Sequence, residues 1–315
     1  MSSQYFRINA PQAGQRRAPF LEQLLARADR SVSMSDWRAE GFRAIAPPGA
    51  AMPAIAAAAL CAERGAVDAA WVCLASPVHY VAEMSRVRMA EDGMLSLTPA
   101  AAEGFASDFN RIWKDTGICL TAARSQLFCL FDRPLAVATR DPREVLGQSI
   151  EEYLPVGEDA ARLRQLISET EMWLFEHGVN GARGRSGLPV VNGLWFWGGG
   201  APLAVLPAVQ GWVAGDDVFF NAFGARQDLG PGSGVVAGVA EPGSDQWQDS
   251  ETRWLRPAVA QLRAGRLSRL ELSIDDRRFT LTSRALRRFW RRSKPWWELL
   301  DRQQDLRVSG AEIDS

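Results

Sequence analysis

The chain has 315 residues, 47% of them hydrophobic, enough to bury one large core or two smaller ones, which excludes a disordered polymer. Thirty-six basic residues against 37 acidic ones leave a net charge of -1, so nothing global favours nucleic acid, an anionic membrane or a highly charged substrate. Any such partner has to be argued locally.

The opening residues MSSQYFRINAPQAGQRRAPF have no apolar run behind their arginines, unlike a secretory signal. The longest small-apolar run, residues 50–62, contains Pro53 and is too short to span a bilayer, so a cytoplasmic protein is expected. Apolar residues at helical spacing predict a helix over residues 20–30, and Ser35-Asp36 cap a second short helix carrying Trp37 and Phe42. The Pro-Gly-Ala stretch at 47–53 then sets off an N-terminal helical arm, residues 1–46, from a single α/β domain, residues 47–315.

Residues 67–75 (VDAAWVCLA) read as a buried strand ended by Ser76-Pro77, which places His79 at a strand's carboxyl end. Thr98-Pro99 opens a helix to about Asp115, with Phe105, Phe109, Ile112 and Trp113 inward. A short strand at 127–131 and an amphipathic helix at 157–176 follow. The helix buries Leu163, Leu166, Ile167, Trp173 and Leu174, stops at Gly178, and leaves His177 on its inner face. Residues 190–197, apolar on both faces apart from Asn192, predict a central strand running into Gly198, Gly199 and Gly200. Strands are predicted at 218–220 and 235–240, and a hairpin at 267–282 turns at Asp275-Asp276. A basic aromatic helix at 283–292 completes the pattern. The fold class expected is α/β: a mixed, largely parallel sheet flanked by helices, with a C-terminal β-hairpin and helix.

Cys61, Cys73, Cys119 and Cys129 lie in apolar surroundings without a Cys-x-x-Cys pair and read as buried reduced thiols. Three glycines after a buried strand expose backbone N–H groups to an anion, yet no Lys-Ser/Thr follows as in a P-loop, and Ala201-Pro202-Leu203 breaks a G-x-G-x-x-G pattern. Alone the glycines equally suit a tight turn. With His177, Asn180, Arg183 and Arg185 just upstream, a helix end, a polar loop and the glycines converge on one anionic group; a carbonyl-bonded histidine and a solvated arginine are the plainer readings. Gly230-Pro231-Gly232-Ser233-Gly234 has its serine out of place for a nucleophile elbow, and Asp216-Asp217 and Asp275-Asp276 read as turns with no nearby His, so no metal site is expected. In the C-terminal segment Leu286, Phe289 and Trp290 are spaced to face a core while Arg284, Arg287, Arg288, Arg291, Arg292 and Lys294 face water, which makes nucleic-acid or membrane contact unexpected.

Taken in order, Ser76-Pro77-Val78-His79, Tyr153-Leu154-Pro155-x-Gly157, His177-Gly178-Val179-Asn180-x-x-Arg183 and residues 192–200 resemble the bacterial RpfE-type regulatory proteins, linked to regulation of pathogenicity factors, over roughly residues 20 to 295. Part of the pattern, about 147 to 202, is similar to archaeal-type cofactor-independent phosphoglycerate mutases of the alkaline phosphatase superfamily, in which such a segment handles substrate. That family also needs a metal-binding Asp-Gly strand, a phosphoryl-carrying Ser or Thr, and later His and Asp ligands for two metals. This chain has no such opening strand and no histidine after residue 202.

The resemblance implies a non-catalytic regulatory protein that keeps a mutase-like anion pocket of Asn180, Arg183, Asn192, Gly198, Gly199 and Gly200 for a phosphorylated small molecule, without cofactor or metal. Two alternatives stand beside it: an active phosphoglycerate mutase or phosphohydrolase with His79 or His177 as acid/base, and a scaffold whose Trp/Arg-rich C-terminus binds a protein partner.

Overall fold

The computed structural model describes residues 2–9, 16–32 and 36–300. In chain order its first elements are β1 (Ser3–Ile8), α1 (Pro19–Arg27), β2 (Asp29–Val32), α2 (Trp37–Ile45), α3 (Ile55–Arg64), β3 (Trp71–Ala82), β4 (Val87–Met94), α4 (Pro99–Ile112), β5 (Ile118–Ala123), β6 (Gln126–Phe131), α5 (Ala160–Phe175), α6 (Gly178–Arg185) and β7 (Gly193–Gly200). There follow β8 (Trp212–Gly215), α7 (Val218–Asn221), β9 (Gly234–Val239), α8 (Trp247–Ser250), α9 (Arg256–Arg263), β10 (Arg269–Ile274) and β11 (Arg277–Leu281). The chain forms two compact units: Met1–Met52 with Pro207–Ser315, and Pro53–Leu206. The expected mixed α/β class with helix-flanked sheets is what the fold adopts, and the predicted hairpin is β10–β11.

The discontinuous unit is built on a six-stranded sheet ordered β2-β11-β10-β1-β9-β8. Its four strands β10, β1, β9 and β8 run parallel, and β11 and β2 join antiparallel at one edge. Phe6, Ile8, Val236, Leu270 and Leu272 pack with Leu21, Leu25, Leu255 and Leu262 of α1 and the 247–263 helical run. On the other face Gly41 of α2 approaches Tyr5 and Val235 so closely that a Cβ there would stand 3.4 Å from each. A helix on each face suits strands apolar on both sides, as parallel strands are. The expected helical arm at 1–46 is therefore corrected: β1 is an inner strand of this sheet, bonded to β9 and β10. What conceals it is its shortness and its distance in sequence from every partner.

The continuous unit holds an antiparallel sheet. β3 carries β7 along one edge and β6, then β4, along the other, with β5 beyond β6. Trp71, Cys73 and Ala75 of β3 face a core that includes Phe105 and Phe109 of α4 and Leu163, Leu166 and Leu174 of α5. Ser76-Pro77 does not end β3, which runs on to Ala82, because Pro77 accepts from Leu95 N–H and lies opposite Leu194. β7 is not central: among the described residues its one strand partner is β3.

Other expectations change for local reasons. Residues 218–220 are helical, because the Asp217 carboxylate accepts hydrogen bonds from Phe219 N–H (3.0 Å) and Phe220 N–H (3.3 Å). Gly178 opens α6 instead of closing α5, with His177 as the cap whose Nδ1 accepts from Val179 N–H. Asp36 caps α2 as expected, while Ser35 lies outside the described residues. Ile112 and Cys119 are exposed rather than buried. The basic aromatic helix shrinks to one 3-10 turn, Ala285–Arg287, and Phe289 and Trp290 stand in solvent at 79% and 68% exposure. No described helix is long and apolar enough to cross a membrane.

Candidate functional site

Of the residues singled out in the sequence, Asn180, Arg183 and Asn192 lie before the start of β7 and the three glycines at its end, not in one pocket. Asn180 on α6 donates from Nδ2 to the carbonyls of Leu174 (2.8 Å) and Val191 (2.9 Å), and its Oδ1 accepts from Val191 N–H (2.8 Å). Asn192 does the same to β3: Nδ2 donates to Tyr80 O (2.9 Å) and Oδ1 accepts from Tyr80 N–H (2.7 Å). In each case a carboxamide imitates a peptide group and closes a short ladder with backbone. Arg183 donates from Nε to Pro189 O (2.6 Å) and from Nη1 to Ser96 O (3.2 Å), so it ties the segment before β7 to the loop before α4.

The glycines lie at the far end of the same strand, roughly 20 Å away at about 3.3 Å per residue. Gly198, Gly199 and Gly200 are not an open loop: the β3–β7 register runs from Leu74↔Trp197 to Val72↔Gly200, a bulge with Gly198 at φ +66°. A Cβ on Gly199 would stand 2.1 Å from the Trp71 ring, and one on Gly200 2.5 Å from Ala54 Cβ. Their lack of side chains is used by Trp71 and by the start of α3. Gly198 N–H donates to Thr139 Oγ1 (3.2 Å). The convergence expected of these residues on one anion does not occur in the fold.

The two histidines serve different elements. His79 Nδ1 is 2.9 Å from Val190 O. His177 stacks on Phe105 (centroids 4.8 Å, 25°), meets Trp173 edge-on at 4.7 Å, and its Nε2 stands 3.2 Å from Asp108 Oδ2. Nearby, Tyr80 is buried with its hydroxyl unpartnered, and its ring fills the space above Gly193. Burial also raises the Glu171 carboxyl above the usual carboxylate range and pushes the Tyr80 phenol far up.

A second polar constellation lies in the other unit, around the Asp216-Asp217 and Asp275-Asp276 pairs that the sequence reads as turns. Asn9, Asp216 and Asp275 directly follow the carboxyl ends of the parallel strands β1, β8 and β10, where open α/β sheets hold ligands. Beside these strand ends the neighbouring acids Asp217 and Glu40 are held by the protein's own cations. Arg38, 3% exposed, grips fully buried Asp217 through Nη2–Oδ2 (2.7 Å) and Nε–Oδ2 (3.0 Å), and the Trp37 ring lies 4.5 Å under its guanidinium. Arg7 donates to Ser273 Oγ (3.1 Å) and Asp275 O (2.7 Å), and Glu40 pairs with Arg278 while accepting from the Tyr5 hydroxyl. Among the described residues no group of three His, Cys, Asp or Glu is placed to hold a metal ion. The available sequence signal was Asp217 itself, an N-cap residue directly before an apolar turn.

No family model matches the chain. It is 29% identical over 104 residues to a 2,3-bisphosphoglycerate-independent phosphoglycerate mutase of Methanosarcina mazei, covering 31% of this chain and 23% of that protein. It is also 29% identical over 128 residues to 2,3-bisphosphoglycerate-independent phosphoglycerate mutase 2 of Methanothermobacter thermautotrophicus, covering 38% and 29%. The match thus spans less than a third of the length of either relative. The solved cofactor-independent phosphoglycerate mutase of Thermoplasma acidophilum superposes with a TM-score of 0.35 at 13% identity, over 89% of each chain. The chain therefore shares partial homology with archaeal-type cofactor-independent phosphoglycerate mutases, confined to a segment.

Proposed function

We propose that this chain is a non-catalytic regulatory protein of the cytoplasm in which the mutase-like segment persists as a structural frame. The observation that carries the reading is the use of Asn180, Arg183 and Asn192: their side chains bond to the chain's own backbone rather than opening toward a ligand. The clasp of Arg38 on Asp217 agrees with it, since a carboxylate held by a guanidinium and two helix N–H groups is poorly placed to ligate a metal. Regulation rather than turnover is also what the resemblance to RpfE-type proteins implies. The anion pocket expected from the motif is not part of this proposal, because its two halves lie at opposite ends of β7.

The test is phosphoglycerate isomerisation by the full chain supplied with manganese. The expected result is no turnover above background, and Arg183→Ala lowers thermal stability only. The second reading, an active phosphomutase, draws on His177, whose Nε2 lies 3.2 Å from Asp108 Oδ2 without a hydrogen bond between them. Turnover that His177→Ala abolishes would establish that reading instead.

A further inference from the structure

The segment 283–294 carries six cations, Arg284, Arg287, Arg288, Arg291, Arg292 and Lys294, and no acid. Arg288 is used internally, on the Asp29 carboxylate and the Arg27 carbonyl, and Arg291 Nη1 donates to Ala28 O (3.2 Å). These bonds fasten the segment beside β2. They also neutralise Asp29, whose carboxyl is held below its usual range chiefly by its hydrogen bond from Arg288. Arg284, Arg287, Arg292 and Lys294 remain exposed, with no ion pair among the described residues.

Two further features give this charge a shape. Arg30, Arg291, Arg292 and Lys294, with Ala26, Ala28 and Asp29, line an open cleft of about 540 Å³. In the same segment Phe289 and Trp290 project into solvent as an edge-to-face pair, centroids 5.5 Å apart at 80°. Their exposure removes the premise on which nucleic-acid contact was unexpected, namely that both rings faced a core.

We infer that this segment binds a single-stranded nucleic acid, the cleft taking backbone phosphates while the neighbouring residues Trp290 and Phe289 stack on unpaired bases. The ligand must present negative charge and flat π-faces on one chain, and single-stranded nucleic acid does both. A bilayer supplies phosphates, but its saturated tails offer no flat π-faces on which Phe289 and Trp290 stack. An acidic peptide supplies carboxylates but no succession of rings. The charge is local, against a chain net charge of -1, so binding is strongly salt-dependent. The proposal is independent of the mutase-like segment, which lies in the other unit.

Fluorescence anisotropy of the full chain with labelled oligothymidylate tests it, alongside an abasic oligonucleotide, polyglutamate and anionic phosphatidylserine vesicles. The expected result is oligothymidylate binding that weakens with salt and loses about tenfold in affinity in Trp290→Ala. The double variant Arg292→Gln/Lys294→Gln, at exposed positions outside every ion pair, flattens the salt slope by about 1.4. Unchanged thermal midpoints in both variants separate lost contacts from lost folding. The inference is overturned if oligothymidylate does not bind at low salt, if the abasic strand binds equally well and Trp290→Ala changes nothing, or if polyglutamate or vesicles are preferred.

Discussion

A side-chain carboxamide has the donor and acceptor of a peptide group, and Asn180 and Asn192 spend theirs on Val191 and Tyr80. Truncating either leaves backbone groups in a part-buried place without partners, at roughly 1–3 kcal/mol. Asn192→Ala therefore lowers the thermal midpoint by several degrees in calorimetry, with no ligand present. Gly199→Ala acts by crowding, since its methyl group meets the Trp71 ring; overpacking of this kind costs about 1–3 kcal/mol. Glu171 works in the opposite direction. Burial raises its carboxyl pKa in the folded chain, so the folded state gains relative stability when Glu171 is protonated and loses it as pH rises through that raised value. Glu171→Gln consequently raises the midpoint at neutral pH and leaves it unchanged below about pH 4. Asn192 was visible in the sequence as a polar interruption of an apolar run, but whether it serves ligand or backbone is decided by Tyr80, 112 residues away.

Elements whose signals are local were legible: α4 with its Thr98 cap and Pro99, α5 with its apolar stripe, and the β10–β11 hairpin turning at Asp275. Elements that depend on distant partners were not. β1 and β8 are short and pair with strands more than two hundred and about twenty residues away respectively. Residues 218–220 have strand-forming side chains, yet the Asp217 cap makes them α7, because the tertiary position of that aspartate overrides propensity. The clasp with Arg38 fixes that position. Asp217→Ala removes the cap and strands a buried guanidinium, a loss of about 3–5 kcal/mol, whereas Asp217→Leu combined with Arg38→Met recovers much of it. Urea unfolding of the single and double variants checks the difference. The C-terminal segment was misread because periodicity alone cannot tell a helix facing a core from a turn lying on a surface.

At the scale of the molecule, the chain leaves its first unit after Met52 and returns to it after Leu206. Residues 53–206 contain their own core and sheet, so that fragment expressed alone unfolds cooperatively; removing residues 1–46 takes β1 from between β9 and β10 and unfolds the discontinuous unit. The central claim, that the mutase-like segment is a frame and not a ligand site, is tested most directly by thermal unfolding of the wild type and Arg183→Ala with and without saturating 3-phosphoglycerate. A ligand that binds the folded state raises the midpoint. The account predicts that Arg183→Ala melts lower by the same margin in both conditions and that 3-phosphoglycerate shifts neither protein. A wild-type midpoint raised by 3-phosphoglycerate, with the rise lost in Arg183→Ala, would contradict it.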